Sequence, residues 1–430
     1  MKFKLIAAAC AALCSVTAIA ASLNPVTQAP EVTFYIAGAS AQEPAVQTVV
    51  FDLFQTPLEV VKISQASGQK TQGWYGMSKP ALTGGASKRL FVAYNKTNGS
   101  NAGVAQLLSD AKTEAEANIV TLGAGCTGSG LAYACTVPAP TEADMALSDV
   151  YPGEAVAGVL PTGPGNIEIS GLTVVKTAME GFGIAVNPLL YAALQTSQGL
   201  CAGVAAACQP SIRRADYASL VTLDGATKDA AGLLQNPTDN TALTLVRRTD
   251  SSGTQAASNI FFANNVCGTV GFNGALTLLG AADAAPGVFD ILEKSSTGDV
   301  KTALSGTTTT GYALGVISLE NVPTAVPTDW KFVKIDGVSP NFSAAGVADP
   351  KVRNAMASGN YQFQVEMTAM YRNTATAQQK ALATAVINGL KDSTKHDLAG
   401  IAYLDGTSYS VGGKASRVSR LGNNCGPLVN

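Results

Sequence analysis

"LTLVRRTDSSGTQAASNIFF", residues 243–262, is the stretch on which the fold turns. Leu243, Leu245 and Val246 open it with the apolar, β-branched content of a strand, and Ala257, Ile260 and Phe261 close it on one face of a helix. Between the two, Thr249-Asp250-Ser251-Ser252-Gly253-Thr254 is small, polar or acidic and predicts a tight turn. A strand that runs straight into a helix is the unit of an α/β fold. Two arginines end the strand, although only 13% of the chain is charged. Neighbours on a strand point to opposite faces, so Arg247 and Arg248 cannot both serve one site.

The same plan recurs along the chain. "EVTFYIAG" (31–38) reads as a strand, and Pro44 opens a helix with Val46, Val49, Val50 and Leu53 on one face. "RLFVAYN" (89–95) is a strand followed by a helix marked by Val104, Leu107 and Leu108. Near the C-terminus, Ala383, Val386, Ile387 and Leu390 predict another amphipathic helix. Three of the strand–helix turns are Gly/Ser/Ala-rich: Gly38-Ala39-Ser40-Ala41-Gln42, Gly99-Ser100-Asn101-Ala102 and Ser251-Ser252-Gly253-Thr254. The first turn of a helix carries unpaired N–H groups and a partial positive charge that suit an anion. Ser and Thr are also the ordinary helix-capping residues, so anion binding and plain capping stand side by side here. If Arg248 faces the turn, its guanidinium fork lies beside the Ser252, Gly253 and Thr254 amides, with Asp250 as its expected partner.

The 430 residues suffice for two or three domains. With 28 Lys plus Arg against 30 Asp plus Glu, no basic surface is available for a nucleic-acid backbone. Lys2 and Lys4, the apolar run from Leu5 to Val16 and Ala18-Ile19-Ala20 predict a secretory leader cleaved after residue 20. No later stretch is long and apolar enough to span a bilayer, so a periplasmic or secreted protein is expected. Six cysteines follow the leader, and an even count in an exported chain predicts disulfides. The short spacings pair Cys126 with Cys135 and Cys201 with Cys208, leaving Cys267 for Cys425. The Gly/Ala/Ser-rich segments 123–140 and 196–210 read as insertions in loops.

Arg248-Thr249-Asp250-Ser251-Ser252-Gly253-Thr254 resembles the R-x-D-G-S-G-T signature of the periplasmic phosphate-binding proteins, the substrate-binding components of phosphate ABC transporters. Gly38-Ala39-Ser40-Ala41-Gln42-Glu43-Pro44 is similar to that family's first loop, G-A-G-A-T-F-P, and Gly99-Ser100-Asn101-Ala102-Gly103-Val104 to its G-S-G-G-G-V turn. "ALSDVYPG" (146–153) looks like the segment that supplies the family's binding aspartate, here Asp149. "TGDVKTALSGTTTTGYALGVISLEN" (297–321) resembles the stretch that ends in a G-A-I-G-Y-V-like strand. The motifs keep the family's order over most of the mature chain. Gln42-Glu43 stands where the family has Thr-Phe, which sets a carboxylate beside the expected anion, and Ser251 replaces a glycine.

The resemblance implies a two-lobed α/β fold, each lobe a mixed sheet flanked by helices, with the ligand between the lobes. One lobe would take residues 22–182 and 325–430, the other 183–324. It implies that Ser40, Ala41, Gln42, Ser100, Asp149, Arg248, Asp250, Ser252, Gly253 and Thr254 bind inorganic phosphate or a related oxyanion. A monomer is expected, with an ABC permease as partner and with no cofactor or metal. Nothing points to catalysis: no G-x-S-x-G elbow, Walker motif or dinucleotide fingerprint occurs, and His396 is the single histidine. The rival reading is an extracellular structural or adhesive protein on the same fold, because a fold does not fix a function.

Overall fold

The computed structural model describes residues 23–429 except 67–70, 97–98, 109–118, 137–140, 155–168, 226–227, 269–273, 306–309, 325–327, 342–352 and 405–413. The expected leader, residues 1–20, lies outside the described residues. Among those described, no helix is long and apolar enough to cross a membrane.

The strands are β1 Val32–Gly38, β2 Val61–Gln65, β3 Thr71–Met77, β4 Arg89–Asn95, β5 Thr127–Ser129, β6 Ala132–Cys135, β7 Met145–Ser148 and β8 Leu172–Val186. They continue with β9 Ser211–Ile212, β10 Leu243–Arg248, β11 Phe289–Lys294, β12 Tyr312–Ser318, β13 Lys331–Phe332, β14 Lys334–Ile335, β15 Gln364–Arg372 and β16 Ile401–Tyr403. Fourteen of them form one mixed sheet in the order β11-β10-β12-β8-β15-β7-β1-β4-β3-β2-β6-β5, with β13 and β16 also paired to β8. The parallel runs β11-β10-β12 and β7-β1-β4 lie at opposite ends of the antiparallel pair β8-β15.

Two cores explain why one continuous sheet makes two lobes. One core gathers Phe34, Ile36, Val46, Val92 and Leu147 with Leu382, Val386 and Leu390 of the helix Ala377–Lys391. That helix begins in a capping box between Thr376 and Gln379, which satisfies two first-turn donors. The other core gathers Ile184, Leu245, Ala257, Ile260, Leu314 and Ile317, and residues 330–335 pack into it through Trp330, Phe332 and Ile335. At 15 residues, β8 is long enough to serve both: its N-terminal half pairs with β15, its C-terminal half with β12.

The strand–helix units run as their periodicity predicts. Val46, Val49, Val50 and Leu53 are all buried, and the helix Gly253–Ala263 buries Ala257, Ile260 and Phe261. One expectation needs correcting. Residues 127–135 are not a loop insertion but a hairpin, β5–β6, whose second strand runs parallel to β2 and extends the sheet edge. The hydrogen bonds of β2 specify that hairpin, and the bond between Cys126 and Cys135 closes it. Two further disulfides join Cys201 to Cys208 and Cys267 to Cys425.

Candidate functional site: two helix N-termini over buried Asp149 and Arg248

The helices Gly99–Leu108 and Gly253–Ala263 start from opposite lobes and meet at their N-termini. Each follows a strand directly, so its first amides face the C-terminal edge of the sheet, where α/β proteins place ligands. Gly38 must be glycine for β1 to lie against β7, and Gly103 for the first helix to pack on Gly38, whose Cα a Cβ at Gly103 would approach to 2.3 Å. Gly38 has φ +123°, and a Cβ there would stand 1.9 Å from the Leu147 carbonyl oxygen. The contact between the helix ends is close. The Asn101 N–H donates to the Ser251 carbonyl at 3.1 Å, and Asn101 Nδ2 donates to the Asp250 carbonyl at 3.2 Å.

Capping does not account for the turn before the second helix. Asn187, Asp229, Ser296 and Thr376 each accept a first-turn N–H of their own helices. Ser252 holds the equivalent position, is 2% exposed, and makes no such bond. A buried helix N-terminus without a side-chain cap leaves donors and partial positive charge in the cleft.

Two ionisable side chains lie beneath these amides. Arg248 is 3% exposed; its Nη1 donates to Thr297 Oγ1 at 2.9 Å and its Nη2 to the Ser295 carbonyl at 2.8 Å. Its Nε is buried without a partner among the described residues. Burial lowers its pKa to about 10, against the pull of Asp149 and Asp299, so it stays charged at neutral pH. Asp149 is likewise 3% exposed, and its N–H donates to Ser100 Oγ at 3.1 Å. Burial pushes its carboxyl up to about 6, opposed by a Ser100 hydrogen bond, by Arg248 and by a hydrogen bond from Glu180. Asp149 Oδ1 is buried and has no partner among the described residues. Gly253 packs directly on this group: a Cβ there would stand 2.3 Å from Ser100 Oγ and 2.6 Å from Asp149 Oδ2.

Ser100, Asp149, Arg248, Ser252 and Gly253 therefore converge. Thr254 is buried beside them and lines a small cavity under the turn with Arg248 and Gln255. The first loop joins through Gln42, whose Nε2 donates to the Ser148 carbonyl at 3.1 Å and whose Oε1 is buried without a partner among the described residues. Ala41 is buried beside it and Ser40 partly exposed. Glu43 does not confront the site as a free charge, because Lys96 Nζ lies 2.5 Å from its carboxylate and Gln72 also donates to it.

Asp250 corrects the sequence reading. Its carboxylate pairs with Arg247, not Arg248, at 2.9 Å, and its side chain is 48% exposed. Arg247 and Arg248 leave the strand on opposite faces, and the turn carries Asp250 back to the outer one. Arg247 also reaches the Leu279 carbonyl and Glu293. What Asp250 gives the cleft is its backbone carbonyl. Sequence reasoning missed Glu180 and Glu320, which adjoin Asp149, and Ser295 and Thr297, which hold Arg248. The one available signal was a glutamate inside the apolar run "TAMEGFGIAV" (177–186).

No protein-family model and no curated protein matches the chain. Among solved structures it resembles a proposed phosphate ABC transporter substrate-binding protein from Clostridium perfringens with bound phosphate (13% identity, 85% of this chain and 99% of that one, TM-score 0.44). It is also similar to an ABC-type phosphate transport receptor from Vibrio cholerae (16%, 84% and 94%, TM-score 0.41). A reduced form of OxyR from N. meningitidis is a third likeness (8%, 87% and 100%, TM-score 0.34).

Proposed function

We propose that this chain is an exported solute-binding protein whose lobes close on an oxyanion, inorganic phosphate, for delivery to a permease. The observation that carries the reading is the uncapped, buried helix N-terminus at Ser252 lying over Arg248 and Asp149, each with a buried polar atom that none of the described residues satisfies. Unsatisfied buried polar groups are costly, and a ligand with both donor and acceptor oxygens would satisfy them. The proposed binding residues are Ser40, Ala41, Gln42, Ser100, Asp149, Arg248, Ser252, Gly253 and Thr254. Arg248 and the helix amides attract any tetrahedral oxyanion. Asp149, ionised at pH 7 and able only to accept, selects one that carries a proton. Phosphate has that proton near neutral pH and sulfate does not. Titration calorimetry with both anions on wild type and Asp149→Asn tests this: phosphate binds, sulfate does not, and the substitution narrows the difference. Comparable affinities for the two anions in the wild type would overturn the assignment of Asp149.

A structural or adhesive role without a ligand is favoured by one observation, the Asn101 N–H already given to the Ser251 carbonyl. Under that reading neither anion binds to any variant.

A further inference from the structure

The C-terminal segment around Arg420 is tied closely to the start of β15. Arg420 Nε donates to the Gln364 carbonyl at 2.8 Å and its Nη2 to the Gln362 carbonyl at 3.0 Å. Glu366, 1% exposed, accepts from the Arg420 N–H at 2.7 Å, from the Gly422 N–H at 2.6 Å and from the Ser419 hydroxyl. The next two residues that matter, Asn424 and Cys425, are adjacent in the chain and reach the two sides of the candidate site.

Asn424 is 2% exposed and uses both ends of its amide. Its Oδ1 accepts the Glu366 N–H at 2.7 Å, while its Nδ2 and its backbone N–H donate to the Glu154 carboxylate at 2.8 and 2.6 Å. The same carboxylate accepts the Tyr151 N–H at 3.0 Å and so closes the turn that leaves Asp149. That turn is also held at Val150, whose carbonyl accepts from Thr368 Oγ1 at 3.1 Å. Cys425 is bonded to Cys267, just beyond the helix Gly253–Ala263 whose N-terminus lies over Arg248. Beside Cys267, Val266 has φ +58°, a left-handed conformation that a β-branched residue rarely adopts and that persists only where the surroundings impose it. Phe363 stacks on Phe261 at this end of the helix, with ring centroids 4.6 Å apart. A flat stacking contact permits sliding, and a covalent bond does not. Because an 11-residue helix is a rigid rod about 16 Å long, whatever fixes its C-terminal end also aims its N-terminal amides.

We propose that Asn424 and Cys425 are positioning residues for the cleft: together they form a strap that sets the spacing between the turn after Asp149 and the helix Gly253–Ala263. This rests on the oxyanion site proposed above and adds to it a device that acts without touching the ligand. The links stand in series, from Glu154 to Asn424, through one peptide bond to Cys425, and on to Cys267. Without the disulfide, Asn424 holds the turn but not the helix. Without the Asn424 amide, the disulfide holds the helix to a segment that has let go of the turn. Either cut leaves the amides over Arg248 free to shift against Asp149.

The test measures the affinity for inorganic phosphate of Asn424→Ala, of Cys267→Ser/Cys425→Ser and of the three substitutions together. Each of the first two should bind about 2- to 30-fold more weakly, the range for residues that act on a site without touching it. A link in series is lost only once, so the combined variant should bind no more weakly than the worse of the two. Cys201→Ser/Cys208→Ser, which opens a bond closed within one loop, should bind as wild type does. Losses that multiply in the combined variant, or an equal loss in the loop variant, would overturn the proposal. A second readout needs no ligand: hydrogen exchange at the Tyr151 and Glu154 amides, which bond within the turn on the far side of the strap from Cys267. Opening Cys267–Cys425 should speed their exchange, and unchanged exchange there would overturn the proposal. Should a variant not fold, the bond is opened after folding, by a dithiol acting on the Cys201→Ser/Cys208→Ser protein, whose other bond, Cys126–Cys135, is buried; the same amides are then read. If their exchange rises but phosphate binds to no form of the protein, the strap stands and the oxyanion reading fails.

Discussion

Gly253→Ala tests whether the two helix ends must meet for the protein to bind. The added Cβ would stand 2.3 Å from Ser100 Oγ, 2.6 Å from Asp149 Oδ2 and 2.8 Å from Asp149 Cβ. The Ser100 hydroxyl can rotate away, but Asp149 Cβ is fixed by its backbone at the end of β7 and cannot. Relief therefore comes from parting the lobes. Forcing one extra carbon into a packed contact costs about 1–3 kcal/mol, or roughly 5- to 150-fold in affinity if the penalty falls on the closed form alone. With the helix ends apart the methyl would be accommodated, and alanine's helix preference works in the opposite direction. The expected outcome is phosphate binding weakened within that range, by calorimetry, with the melting temperature of the ligand-free protein unchanged or slightly higher. Gly171→Ala, where a Cβ meets nothing within 4 Å, serves as the control. Undiminished affinity in Gly253→Ala would refute the claim that this contact forms when the ligand is held.

Arg248→Ala removes a buried charge and should cost binding on the order of 2–5 kcal/mol, whereas Arg247→Ala, which breaks the links to Asp250 and Glu293, should chiefly lower stability; titration of both variants separates the two. Glu154 and Glu320, raised to about 7, and Asp149, raised to about 6, bind more protons folded than unfolded. Their contribution to stability is therefore present at mildly acidic pH and is lost as pH rises toward about 7, so the melting temperature should fall over that window. Asp239 and Asp329 are shifted downward, so they stay ionised and add no slope there. Cys425→Ser releases a cross-link spanning 158 residues, whose loop entropy is worth at most about 5 kcal/mol, and should lower the melting temperature measurably.

The elements that were legible in the sequence are those with a local signal. The helix Ala377–Lys391 announces itself by its apolar face, and the unit around Arg248 by strand, turn and helix in immediate succession. β8 was not legible at its full 15 residues, because its two halves belong to different lobes and no single burial pattern runs through it. The hairpin Thr127–Cys135 has the sequence of a loop, because its Gly-rich residues carry little strand preference, and pairing with β2 supplies the rest. In the site, the opposite faces of Arg247 and Arg248 follow from strand geometry alone. The partner of Asp250 does not, since it depends on how the turn folds back. Glu180 in β8 and Glu320 just after β12 come near Asp149 only because those two strands pair side by side, a proximity no spacing along the chain reveals.

The central claim is that the closed cleft holds phosphate through Arg248 and selects it through Asp149. Equilibrium dialysis of the mature protein with radiolabelled phosphate tests it most directly, with unlabelled phosphate and sulfate as competitors. The account predicts one phosphate retained per chain, displaced by unlabelled phosphate and left in place by an excess of sulfate. Label that is never retained, or that sulfate displaces as readily as phosphate does, would contradict it.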